Sequence, residues 1–238
     1  MVTWRSTVFY VGVFPATVLV CVIGILILPL DRRTRYLIVT RWSKFALWWL
    51  RISCGLTSRV AGVENIPDEP GVIFCKHQSA WETMALQFIF PPHVQVVKRE
   101  LLFVPFFGWG LASLNPIAID RAAGAKALRR VLRIGADRIA QGWWVLLFPE
   151  GTRTSPGDQP EYSPSAAALA IRARCKLVPV AHNAGVFWSR NGLEKFHGEI
   201  QIAIGPAIDS EGKSAAEMTM EAKAWVEAQC AKMPKTRP

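Results

Sequence analysis

The chain has 238 residues, is 51% hydrophobic and carries 28 Lys and Arg against 18 Asp and Glu, for a formal charge of +10. That length holds one sizeable core plus an N-terminal segment, and the cationic excess calls for an anionic partner. Nucleic acid is excluded: there is no zinc-ligand pattern, helix-turn-helix signature or RNA-binding aromatic motif, and a long uncharged run does not suit it, which leaves anionic lipid and phosphorylated substrates.

Residues 8–30 carry no charged side chain. As a helix they extend about 34 Å, enough to cross a hydrocarbon core, and they lack the small-residue cleavage site of a signal peptide. They read as a membrane segment that either spans or dips in and returns as a hairpin with the next helix; Gly12, Pro15 and Gly24 permit a bend. Cations follow at Arg32, Arg33, Arg35, Arg41 and Lys44, so the positive-inside rule places the remainder on the cytoplasmic face of the inner membrane. In residues 36–56 a helix gathers Arg41, Lys44 and Arg51 within an arc of about 80°. Trp42, Phe45, Ala46, Trp49 and Leu50 fall on the other side. That pattern fits a helix in the headgroup region or one packed on the following domain. The expected organisation is membrane-anchoring helices over 1–57 and one domain over 58–238.

In that domain, apolar runs at 71–75, 94–97, 116–119, 143–148, 177–181 and 199–204 read as strands. Amphipathic segments at 80–90, 122–141, 166–173 and 215–232 read as helices, the last opened by the capping-box sequence Ser214-Ala215-Ala216-Glu217 and the second closed by Gly142. Alternation of strand and helix predicts an α/β fold. Lys126, Arg129, Arg130 and Arg133 make a basic side on the second helix, either a solvated face or a headgroup contact. Residues 154–164 read as an exposed loop able to move over a site, and His93 and His197 as surface residues. The five cysteines, odd in number and without a C-x-x-C pair, read as reduced thiols, and no metal site is expected.

The informative residues follow the first strand: Lys76-His77-Gln78-Ser79-Ala80-Trp81-Glu82. On one unbroken helix, positions five apart lie about 140° from each other. His77 and Glu82 therefore meet only if His77 lies in the turn and Glu82 in the first helical turn. A carboxylate on one imidazole nitrogen sets the tautomer and leaves the other nitrogen as a general base for a hydroxyl. The same residues also spell a capping box from Ser79 to Glu82, and spacing alone leaves both readings standing. A second cluster, Phe148-Pro149-Glu150-Gly151-Thr152-Arg153, follows another strand and sets an arginine after a Gly-Thr turn whose backbone can approach an anion.

Four ordered blocks carry a resemblance. Residues 60–67 with His77 and the acid five positions on form the first; Lys98-Arg99-Glu100, residues 105–110 and Ile119-Asp120-Arg121 form the second. Residues 148–153 form the third and Val178-Pro179-Val180 the fourth. Over residues 60–185 the chain resembles the glycerolipid acyltransferase family, with Glu82 where that family usually has Asp. The resemblance implies a mixed sheet flanked by helices, preceded by N-terminal membrane helices. It implies a His77–Glu82 catalytic pair and a phosphate held by Lys98, Arg121 and Arg153, with Gly151 and Thr152 forming the turn. Glu150 then accepts a hydrogen bond from a substrate hydroxyl or, the reading favoured here, orients Arg153. Backbone amides near Ser79 are the expected oxyanion donors. The implied reaction moves an acyl group from acyl-CoA or acyl carrier protein to the sn-2 hydroxyl of lysophosphatidate, with no cofactor. Other lysolipids or glycerol 3-phosphate are alternative acceptors. A hydrolase using Ser79 lacks the G-x-S-x-G elbow, and a non-catalytic membrane module is the remaining alternative.

Overall fold

The computed structural model describes residues 2–237. Two long helices come first, α1 (Val2–Leu26) and α2 (Arg32–Cys54). The α/β domain follows as β1 (Leu56–Ala61), β2 (Val72–Cys75), α3 (Trp81–Ile89), β3 (His93–Lys98), α4 (Phe107–Ser113), β4 (Ile117–Ile119), α5 (Ala125–Ala140) and β5 (Trp144–Leu147). It closes with α6 (Ser165–Ala173), β6 (Leu177–His182), α7 (Ala184–Phe187), β7 (Gly198–Ile204) and α8 (Ala215–Lys232).

The strands form one seven-stranded sheet in the order β1-β7-β6-β2-β5-β3-β4. All neighbours are parallel except β6 and β7, so the expected mixed sheet is present. Side chains alternate across it: Ile73, Cys75, Leu146 and Val178 enter one core with α1, α2 and α3, while Val72, Phe74, Val145 and Leu177 enter another with α5, α6 and α8. Helices on both faces explain why β2, β5 and β6 are continuous apolar runs. The capping box of α8 forms as read, and Gly142, at φ 83°, ends α5 with Trp143 N–H donating to Arg138 C=O at 3.0 Å.

Three elements were not anticipated. β1 is an edge strand with only Leu56 buried, so its sequence lacks a strand's apolar alternation. Helix α4 contains Gly108 and Gly110, poor helix formers, and Gly110 is needed because a Cβ there would lie 2.8 Å from Cys21 Sγ. Helix α7 is a single turn.

The N-terminal helices form a hairpin, but the bend is not where the glycines and proline suggested. α1 runs unbroken through Pro15, and the chain reverses at residues 27–31, where Asp31 caps α2 by accepting from the Arg33 and Thr34 amides. Gly12 lies under Trp49, whose indole N–H donates to the Val8 and Phe9 carbonyls at 3.1 and 3.2 Å, and Gly24 lies against Ser113 of α4. Both glycines mark close helix contacts. The apolar side of α2 belongs to the core, with Ala46 and Leu50 buried in the same cluster as Phe9 and Val13. The helix packs on the domain as one of its two readings expects, with α1 and α3 covering its apolar side, and its cations are left outward.

His93 corrects another expectation. It starts β3 at 2% exposure, beside the Tyr36 hydroxyl and the Pro91 carbonyl, and burial pushes its pKa down to about 4. His197 is exposed as read.

Candidate active site

Strand register assembles the site. Phe74 pairs with Leu147 and Cys75 with Val180, so stepping equally past the strand ends sets His77 beside Glu150 on one side and His182 on the other. All three lie at the carboxyl edge of the parallel strands, where α/β folds place their crevices.

Glu82 serves both functions that its spacing allowed. Its Oε1 accepts from His77 Nδ1 at 2.8 Å and from the Gln78 and Ser79 amides at 2.9 Å each. The carboxylate thus caps the start of α3 and fixes the proton on Nδ1, leaving His77 Nε2 as the basic nitrogen. The ring is held flat against Phe148, with centroids 3.9 Å apart and planes at 16°. Glu82 is 1% exposed, and burial alone would raise its pKa. Nearby His182, the His77 hydrogen bond and the Ser79 amide outweigh that penalty and hold it below the usual carboxylate value. It therefore stays ionised beside His77.

His182, which the sequence reading missed, backs the pair. Its Nδ1 accepts from the Ala184 amide at 3.2 Å, so Nε2 carries the proton and donates to the Lys76 carbonyl at 2.7 Å, 4.0 Å from Glu82 Oε2. Burial lowers its pKa, with Glu82 opposing.

Glu150 differs from the favoured reading. Its side chain is 0% exposed, its Oε1 accepts from the His77 amide at 3.1 Å, and among the described residues it makes no ion pair with Arg153. It anchors the His77 backbone, and burial raises its pKa to about 7. Thr154 completes the clamp, donating its amide and hydroxyl to the His77 carbonyl at 2.8 and 3.1 Å. Lys76 is the other unforeseen member: 1% exposed, it donates to Glu227 of α8 at 2.6 Å and to the Asp158 carbonyl at 2.9 Å, and lies 3.8 Å from Glu150. Tyr162 also donates to Glu227, at 2.6 Å. The loop at 154–164 is therefore tied down at Thr154, Asp158 and Tyr162, and these bonds oppose the expected movement over the site.

The anticipated phosphate ligands separate. Arg121, Phe148 and Gly151 line one groove of about 430 Å³, together with the apolar Val96, Ile119 and Leu128. Arg153 is half-buried and makes no ion pair among the described residues, while Thr152 is exposed. Lys98 pairs in register with Ile119 but lies outside that groove, with Nζ 4.0 Å from Glu100. The expected oxyanion donors do not fit, and the hydrolase alternative loses its nucleophile. The amides of Gln78 and Ser79 are committed to Glu82 and so are not free for an oxyanion, and Ser79, fully buried with its Oγ accepting from Trp81 N–H at 3.2 Å, is not an available nucleophile.

A family model for acyltransferases matches residues 57–183. The chain is 47% identical over 203 residues to the 1-acyl-sn-glycerol-3-phosphate acyltransferase of Pseudomonas aeruginosa, covering 84% of this chain and 79% of that one. It is 31% identical to the human beta enzyme of that name over 63% of this chain and 54% of the relative. A crystal structure of the 1-acyl-sn-glycerophosphate acyltransferase of Thermotoga maritima, 21% identical, superposes with a TM-score of 0.78 over 98% of both chains and so shares the fold. With family blocks and sheet register converging on His77 and Glu82, the chain belongs to the acyltransferase family.

Proposed function

We propose that this enzyme transfers a fatty acyl group from a thioester to the sn-2 hydroxyl of 1-acyl-sn-glycerol 3-phosphate, forming phosphatidic acid. The observation that carries the reading is His77 Nδ1 at 2.8 Å from Glu82 Oε1, with the ring stacked on Phe148 of the groove that Arg121 lines. His77 Nε2 takes the hydroxyl proton as the oxygen bonds to the thioester carbonyl carbon. The C–S bond then breaks, and the departing thiolate takes the proton back as a thiol. Glu82 stabilises the imidazolium between these steps. A thioester is already activated, so positioning and one base supply the chemistry without a metal or cofactor. Acyl-CoA and acyl carrier protein both present that thioester.

Arg121 and Arg153 are assigned to the acceptor phosphate as bidentate donors, with Lys98 as a more distant cation. Gly151 and Thr152 shape the approach to Arg153. The relatives' names support a phosphomonoester acceptor. The acceptor reaches the site from a membrane. Thr3–Leu26 is long and apolar enough to cross one, yet one side of α1 packs on the domain, while Trp4, Val11, Phe14 and Leu19 face outward. Phe103, Phe106, Phe107 and Trp109 extend this exposed apolar surface from the segment that meets α1. That arrangement suits a hairpin lying in one leaflet, here the cytoplasmic leaflet of the inner membrane, with Arg41, Lys44 and Arg51 of α2 at headgroup level.

The test is thiol release from acyl-CoA by the full chain with lysophosphatidate, with lysophosphatidylcholine and with neither. The reading expects release that depends on acceptor and favours lysophosphatidate roughly ten- to a hundredfold in kcat/KM, the value of a charged contact of about 1.5–3 kcal/mol. Equal use of both acceptors would contradict the phosphomonoester assignment, and acceptor-independent release would contradict acyl transfer.

A further inference from the structure

At the opposite edge of the sheet from His77, a group of arginines has no counter-charge. Arg32, at the start of α2, donates Nη1 to Gln141 Oε1 at 2.9 Å, and Arg138, in the last turn of α5, points Nη1 at the same oxygen from 3.5 Å. Two guanidinium groups thus converge on one neutral carbonyl. The Nε atoms of Arg32, Arg138 and nearby Arg35 are buried with no hydrogen-bond partner, and none of the three makes an ion pair among the described residues. Burial, then mutual repulsion, lowers the pKa of Arg32 beside Arg35 and of Arg138 beside Arg32.

The neighbouring acids do not neutralise the group. Asp31 is occupied by the Arg33 and Thr34 amides and the Thr34 hydroxyl at the cap of α2, Asp68 is exposed on the groove rim, and Asp137 only partly offsets Arg138. Arg32, Arg33, Arg35, Gln141 and Trp143 line an open groove of about 660 Å³, and the Arg32 guanidinium carbon lies 5.9 Å from the centre of the Trp143 ring. Leu30 also lines it, and with Leu28 continues the outward apolar face of α1 to its edge.

We infer that Arg32 and Arg138, which meet at Gln141, together with Arg35 of the same groove as Arg32, form a second phosphate site that takes the headgroup phosphate of an anionic membrane phospholipid, with its chains along Leu28 and Leu30. A phosphodiester supplies the missing negative charge and accepts the planar donor pairs that guanidinium groups offer. The leucines favour a lipid over a free ion. The site is distinct from the catalytic one, because Trp143 precedes β5 while Glu150 lies beyond its far end, and the four-residue strand between them spans about 13 Å. The inference rests on the arginine cluster and the exposed face of α1, not on the acyl-transfer reading.

Thermal unfolding of the full chain in non-ionic micelles tests it, at constant ionic strength, against dioctanoylphosphatidylglycerol, dioctanoylphosphatidylcholine and inorganic phosphate. A ligand bound only by the folded state raises the midpoint saturably. The expected result is such a rise with the anionic lipid, none with the zwitterionic one, and half-saturation by inorganic phosphate at a concentration at least tenfold higher. Arg32→Gln and Arg138→Gln should each weaken the lipid response at least tenfold while leaving the lipid-free midpoint level or raised, since each removes an unneutralised charge. Equal shifts with both lipids, or an undiminished response in both variants, would overturn the site. Phosphate acting as well as the lipid would overturn the choice of ligand. A lipid-free midpoint that falls in both variants would show the cluster to be a structural brace instead.

Discussion

Glu82 is the residue where two readings of the sequence turn out to be one structure. Its Oε1 holds the His77 ring and two backbone amides together, so the cap and the proposed catalytic contact share an atom. Glu82→Gln keeps an oxygen acceptor for all three donors but removes the charge that stabilises an imidazolium. Turnover should fall at least about a hundredfold while thermal stability changes little. A proportionate modest loss of both would reduce Glu82 to a cap. The usual Asp of the family is one methylene shorter, yet Glu82 still reaches Nδ1 at hydrogen-bond distance, so the longer side chain is absorbed in the turn. Glu150 makes a pH-dependent prediction. Its carboxyl, raised to about 7 in the fold by burial, ionises near its ordinary 4.5 when unfolded. Stability linked to it is therefore lost as pH rises from about 4.5 to about 7, by about 3 kcal/mol at one pKa unit per 1.4 kcal/mol. Glu150→Gln still accepts from the His77 amide and should flatten that part of the stability–pH curve; an unchanged curve would mean that Glu150 is ionised in the fold.

At the scale of elements, the C-terminal helix is bolted to the catalytic turn. Lys76 lies just after β2 and Glu227 on α8, 151 residues away, and Tyr162 joins the same carboxylate. Lys76→Met leaves the Glu227 carboxylate without its cation, which should cost about 3–5 kcal/mol in denaturant unfolding. A loss below about 1 kcal/mol would show the pair to be solvent-screened. This contact also marks where the sequence stops being informative. His77 and Glu82 are legible through the family resemblance, because their spacing alone fits a capping box equally well, and β2, β5 and β6 because burial on both faces makes them apolar throughout. Lys76, His182 and Thr154 carry no local signal: each owes its place to strand register or to a distant partner. β1 escaped notice because an edge strand need not alternate, and α4 because its glycines answer to α1 across the fold rather than to helix propensity. Gly12 and Gly24 were legible as unusual residues in an apolar helix, but their purpose, contact rather than bending, appears only once α2 and α4 lie against them.

For the whole molecule, exposed apolar side chains lie on the outer side of α1 and on Phe103, Phe106, Phe107 and Trp109, in and before the helix α4 that packs on α1. On the proposed reading, a membrane on that side brings a lipid acceptor to His77 at the carboxyl edge of the sheet and headgroups to Arg32 at the other edge. The proposed chemistry uses one base held by one carboxylate, with the rest of the structure positioning that pair. The most direct measurement of that claim is acceptor-dependent acyl transfer by the full chain and by His77→Ala in vesicles, alongside unfolding midpoints and vesicle binding for both. The account predicts that the variant folds and binds membranes as before and loses at least about a hundredfold in kcat, the lower end of general-base contributions. Near-normal turnover by a folded, membrane-bound His77→Ala protein would contradict it.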